Sequence, residues 1–136
     1  MDLQVYIDEH KELYQKLECF LSEFTMLKNK RDDEFLIKIS KPFYEYIEVL
    51  LNQHFKEEEE KLFPDLKNKM SPEILARIIH DHIEIREKFE ALKVNMEAFK
   101  LDRNLDYKAQ ILFPSYNLIA TINHHAQRED LHIFNS

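Results

Sequence analysis

The sequence contains no glycine. Loops that cradle phosphate need residues without Cβ, so that the backbone can close on the anion. P-loop and dinucleotide-binding fingerprints are therefore excluded. Tight type I′ and II′ hairpins lean on Gly or Asn-Gly, and no such pair occurs here. A β-rich chain is disfavoured. A helical one is favoured, because interior glycine costs a helix about 1 kcal/mol relative to alanine. Tryptophan is missing too, and cysteine occurs once, at Cys19. One thiol cannot form an intramolecular disulfide, and a reducing cytoplasm is the expected compartment. No stretch approaches the ~18 apolar residues of a membrane span. Met1-Asp2-Leu3-Gln4 lacks the basic-then-apolar pattern of a signal peptide. Positive charge is in deficit, with 19 Lys+Arg against 26 Asp+Glu and a net charge of −7. That sign opposes general nucleic-acid binding. The one basic cluster, Lys28-Asn29-Lys30-Arg31, is short and is expected in an exposed loop.

What is present is helical periodicity. The 136 residues suit one domain, 1–136, large enough to bury roughly two-thirds of its unfolded surface. The first segment, about residues 3 to 28, carries the stripe Leu3, Tyr6, His10, Leu13, Leu17, Phe20, Phe24, Leu27. The second follows Asp32-Asp33-Glu34, has Pro42 near its start, and carries Phe43, Ile47, Leu51, His54, Glu58, Leu62 before Pro64. The third opens at Ser71-Pro72-Glu73, with serine as N-cap and proline at the first helical position. Its stripe is Leu75, Ile78, His82, Ile85, Phe89, Leu92, Met96, Phe99. The fourth starts near Asp106 and carries Ile111, Ser115, Leu118, Ile122, His125, Glu129. Pro114 inside it predicts a kink or a late start. Four such segments with short polar connections predict an all-α chain, an up-down-up-down four-helix bundle.

The polar residues on these apolar stripes are the informative ones. His10, His54, His82 and His125 are all in phase with their own apolar faces, and Glu58 and Glu129 lie one turn after a histidine. An unpaired buried carboxylate is very costly, so several pointing into one core call for a compensating charge. His54 follows His10 by 44 residues, and His125 follows His82 by 43. Each second histidine opens His-x-x-x-Glu. Residues 1–68 and 72–136 thus read as two copies of one helical hairpin, whose pairing would gather four imidazoles and two carboxylates at one level.

A lone histidine on an apolar stripe is ordinarily a hydrogen-bonded core residue. Four in phase, with two His-x-x-x-Glu pairs at matching separations, point instead to two borderline metal ions. A dinuclear iron centre is the first choice, and zinc or manganese suits the same donors. Glu57, Glu59 and Glu60 point off the stripe and read as a solvated face, with Glu57–Lys61 as an i,i+4 pair. His80 lies roughly 200° around the helix from His82. His124 is off the His125 stripe. His132 is in phase but near the chain end, and Cys19 lacks a partner. Only Glu129-Asp-Leu-His132 matches Glu-x-x-His, so a ferritin-like carboxylate site is disfavoured. No His-Glu-x-x-His motif is present.

A histidine on the first helix, His-x-x-x-Glu on the second, a histidine on the third and His-x-x-x-Glu on the fourth resemble the hemerythrin-like family of HHE cation-binding domains. The resemblance spans nearly the whole chain. It is carried above all by His54-Phe-Lys-Glu-Glu58-Glu-Glu-Lys-Leu-Phe-Pro64 and by Asp81-His82-Ile-Glu-Ile-Arg-Glu-Lys-Phe-Glu-Ala-Leu92. It implies a non-haem di-iron centre, oxo- or hydroxo-bridged. His10, His54, His82 and His125 would be terminal ligands, and Glu58 and Glu129 bridging ones. It also implies binding or sensing of O2, NO, peroxide or iron. Two further roles within the resemblance are a di-iron redox enzyme, for detoxification or iron–sulfur repair, and a metal-switched module that binds a protein partner. Oxygen-carrying members have five histidines. Here the residues four away from His82 are Ile78 and Arg86, which implies a coordination position left open. Asp130 holds the spacing of their fourth-helix aspartate, but Glu129 has the better phase.

Overall fold

The computed structural model describes residues 3–134, which form four helices and no strand. Helix α1 is Gln4–Thr25. Helix α2 spans 33–66 and begins with Asp33–Val49. The side chain of Asp32 caps it by accepting from the Phe35 amide at 3.0 Å, and Asp33 and Glu34 in the first turn complement the helix dipole. Helix α3 is Pro72–Leu101 and starts at its proline as expected. The Ser71 hydroxyl, however, donates to the Glu73 carboxylate at 3.1 Å and makes no cap bond to the backbone. Helix α4 spans 107–134. Asp106 opens it by accepting from the amides of Lys108 and Ala109 at 3.0 and 3.3 Å. The basic cluster at 28–31 lies in the exposed α1–α2 connection.

Two proline expectations are corrected. Pro42 lies in the interior of Asp33–Val49, not near the start of the helix. Pro114 does not delay α4, because the Asp106 cap fixes the start upstream of it. A proline has no N–H for the carbonyl four residues back, here that of Gln110. Asn95 of α3 supplies the missing donor, its Nδ2 reaching the Gln110 carbonyl at 2.9 Å. A π-helical turn, Lys108–Leu112, ends two residues before the proline.

Three more π turns sit elsewhere: Leu50–Phe55 and Glu58–Leu62 in α2, and Asp130–Phe134 at the end of α4. Such turns re-phase the residues beyond them and often occur at functional sites. Two of the four contain His54 and Glu58, and a third begins directly after Glu129.

Around the bundle, α1 packs on α2 and α4, and α3 packs on the same two helices. The core has two apolar parts. The larger includes Leu17, Phe24, Phe43, Phe89 and Ile122; the smaller includes Tyr6, Leu62, Phe63, Ile78 and Phe134. Along every helix the polar stripe residues fall between them. His10 lies between Tyr6 and Leu13, and His82 lies between Ile78 and Ile85. The fold therefore encloses one polar layer between two dry ones.

Candidate metal centre

The polar layer gathers all six residues singled out from the sequence. His10, His54, Glu58 and Glu129 form one cluster, and Glu58, His82, His125 and Glu129 a second. Within each, one donor atom per residue lies within 4.8 Å of the others, and all six residues are buried. The two carboxylates are common to both clusters. His10 Nε2 is 3.2 Å from Glu129, and His54 Nε2 is 3.1 Å from Glu58. His82 Nε2 is 3.0 Å from Glu58, and His125 Nε2 is 3.1 Å from Glu129. Each carboxylate thus faces one imidazole of each cluster.

Every ring points its Nε2 inward because its Nδ1 is held from outside. His10 Nδ1 donates to Asp130 at 2.8 Å, and His82 Nδ1 to Glu59 at 2.6 Å. His125 Nδ1 donates to Asp81 at 3.1 Å, and His54 Nδ1 bonds to Glu9. A carboxylate behind an imidazole fixes its tautomer and orientation and makes the inner nitrogen a better donor. Three of these outer carboxylates are anchored in turn. Arg86 grips Glu59 with two bonds of 2.6 and 3.0 Å, Arg128 bonds Asp81, and the Tyr14 hydroxyl donates to Asp130 at 2.5 Å. Phe55 stacks on the His82 ring at 3.8 Å, and Phe134 meets His10 edge-on at 5.2 Å.

The inner atoms satisfy one another only in part: His82 Nε2 bonds Glu58 at 3.0 Å and His125 Nε2 at 3.1 Å. His10 Nε2, His54 Nε2, Glu58 Oε2 and both oxygens of Glu129 are buried without a hydrogen-bond partner. Unpartnered buried polar atoms are rare and costly, and five converging on one layer fit a missing cation. The donor set agrees: imidazoles for a borderline ion, carboxylates to bridge and supply negative charge.

The hemerythrin HHE cation-binding domain matches residues 1–135. The chain belongs to the hemerythrin HHE family. No curated protein and no solved structure matches it significantly. An HHE domain binds metal cations, and this one has buried His/Glu clusters that could hold them.

The electrostatics of the HHE core reflect crowding. Burial and the neighbouring Glu129 push the Glu58 carboxyl well above its usual range. Burial acts in the same direction on Glu129, but His125 and His10 hold it well below. Burial would lower His125, yet Glu129 and Asp81 raise it to about 10. Burial and the His125 charge depress His82 to about 4. Without metal near neutral pH, His125 therefore carries its proton while Glu129 stays ionised and His82 neutral, and Glu58 is biased toward its protonated form.

Two expectations are corrected or completed here. Glu59, expected on a solvated face, instead holds His82 and binds Arg86. Asp130 lies outside the centre, on His10, and Glu129 lies inside it. Glu9 and Asp81 escaped the sequence reading. The pattern was nevertheless present: an acidic residue precedes His10 and His82, and another follows Glu58 and Glu129. Each preceding acid holds the second histidine of its own hairpin, and each following acid holds the first histidine of the other. His80, His124 and His132 are exposed, as is Cys19.

Proposed function

We propose that this HHE protein holds two iron ions, one in each cluster, and presents an open coordination position to O2, NO or peroxide. The observation that carries this reading is the sharing of Glu58 and Glu129 by both clusters, since two bridging carboxylates are what a pair of adjacent ions needs. His10 and His54 would serve one ion, and His82 and His125 the other. Iron supplies redox chemistry and Lewis acidity that no side chain here has. The chain's own residues fix the imidazoles through Glu9, Asp130, Glu59 and Asp81. They also keep bulk water out with the apolar layers on either side.

Two metal ions need at least eight ligand positions between them. Four imidazoles and two bridging carboxylates supply about as many donor atoms, which leaves room for small exogenous ligands on ions that accept more than four. The third helix places Ile78 and Arg86 one turn either side of His82, so neither supplies a fifth imidazole.

The test is metal and spectral analysis of protein purified from iron-replete cells. About two irons per chain, near-UV absorption from a coupled ferric pair in the oxidised form, and a new absorption when NO is added to the reduced form are expected. Folded protein without metal would overturn the reading. Two zinc ions in place of iron would retain the site and remove the redox chemistry.

A further inference from the structure

The two clusters differ in what stands behind them. Asp81 is nearly sealed, at 3% exposure, and is held by Arg128 with Arg77 at 3.4 Å; Glu59 is gripped by Arg86. The His82/His125 half is thus backed by ion pairs, with Phe55 stacked on His82 and Phe63 at 5.1 Å from it. Behind the other half, Asp130 has only the neutral Tyr14 hydroxyl. Glu9, which holds His54, is 42% exposed and has no Lys or Arg paired to it among the described residues. His54 is also the least buried of the four histidines, at 9% exposure against 1–2% for the rest.

A cleft of about 270 Å³ between α1 and α2 leads to that weak point. His54 and Glu9 form its inner wall, Val49 and Tyr46 line it, and Glu12 and Glu57 add two carboxylates. Among the described residues, no Lys or Arg lines it. The inner nitrogen of His54 has no hydrogen-bond partner. Other clefts, such as those lined by Lys88, Leu92 and Pro114 or by Tyr44 and Val94, include none of the six central residues.

We propose that the metal in the His10/His54 half is the exchangeable one, entering and leaving through the α1–α2 cleft as His54 swings on Glu9, while the His82/His125 half stays closed. The inference rests on the two-metal reading above. The physical argument is kinetic. Negative charge along the cleft raises the local cation concentration. A histidine held by one solvated carboxylate reorients more readily than one held by a carboxylate clamped in ion pairs. Access and a loose ligand speed arrival and departure alike.

The experiment uses the full chain loaded with diamagnetic zinc(II) and challenged with excess EDTA. Metal content and ring ¹⁵N shifts of the histidines are followed. Release in two phases is expected. Between the two phases, one equivalent should remain, with His82 and His125 still ligated and His10 and His54 at their metal-free shifts. Val49→Trp, at an exposed position on the cleft mouth, should slow the fast phase about tenfold and leave the slow one unchanged. Glu9→Gln should accelerate the fast phase, whereas Glu59→Gln should affect only the slow one. Single-phase release, loss of the His82/His125 metal first, or an unaltered fast phase in folded Val49→Trp would each overturn the proposal. Failure to take up any zinc would instead overturn the metal-centre reading, and this inference with it.

Discussion

Asp81 of α3 accepts a hydrogen bond from Nδ1 of His125 on α4 at 3.1 Å, while the residue beside it, His82, turns into the centre of the bundle. Two neighbours in sequence thus act on opposite sides of one site, one as a candidate ligand and one as the support of a different ligand. Asp81→Ala removes that support and leaves Arg128 without its carboxylate. The expected result is a 10–100-fold loss of metal affinity, the usual cost of deleting an outer partner. Competition against a chelator of known affinity measures it. An unchanged affinity would remove Asp81 from the site.

Glu58 and Glu59 separate the inner role from the outer one. Glu58→Ala takes a donor from both clusters at once, so metal content should fall in both halves. Glu59→Ala should keep two metals at saturation but bind the His82-side ion more weakly. Metal counting at saturating and at limiting metal distinguishes the variants. Identical behaviour would contradict the assignment.

Metal uptake should release protons. In the metal-free protein Glu58 is raised well above the usual carboxylate range, and His125 is raised to about 10. His125 is protonated at pH 7 and Glu58 is biased toward its protonated form, so a bound cation should displace at least about one proton per chain. His125 also has a stability consequence in the metal-free form. A folded pKa raised from 6.5 to about 10 contributes stability that is complete below the unfolded value and lost as pH rises to the folded one. Zinc titration in weak buffer with an indicator dye reads the proton count, and urea melts of the metal-free protein between pH 6 and 10 read the stability. A pH-independent midpoint would count against the His125–Glu129 pairing.

Removing metal should destabilise the fold. In the polar layer five buried atoms lack a hydrogen-bond partner, and a bound cation would supply them with ligand bonds. A ligand at one hundred times its Kd adds about 2.7 kcal/mol to the folded state. For a chain of this size that corresponds to a Tm change of about 10 °C. Calorimetry before and after dialysis against chelator should show the drop, and re-addition of iron or zinc should restore it.

Asn95→Ala tests the local device around Pro114 independently of metal. It removes the side-chain donor bonded to the Gln110 carbonyl. A destabilisation of about 1 kcal/mol is expected, with metal content unchanged. Urea unfolding measures the first and elemental analysis the second.

Much of the architecture was legible because burial follows a period that sequence displays. The stripes of α1 and α3 return residue by residue as buried positions, from Tyr6 to Leu27 and from Leu75 to Phe99. His10, His54, Glu58, His82, His125 and Glu129 were legible for the same reason, since a polar residue in phase with an apolar stripe must face the core. The outer layer was not legible in that way. A residue next to a ligand is turned about 100° around its helix, onto the seam with a neighbouring helix. Glu59 meets His82 and Asp130 meets His10 only because α2 abuts α3 and α4 abuts α1 at matching heights. The π turns within α2 and after Glu129 shift phase by amounts that no straight-helix count anticipates. The sequence by itself determined the helices and the inward set, because both depend on the phase of a residue along its own helix. Only the tertiary structure decided which carboxylate stands behind which imidazole and which half of the site lies open to a cleft, because both depend on the height and neighbour of one helix against another.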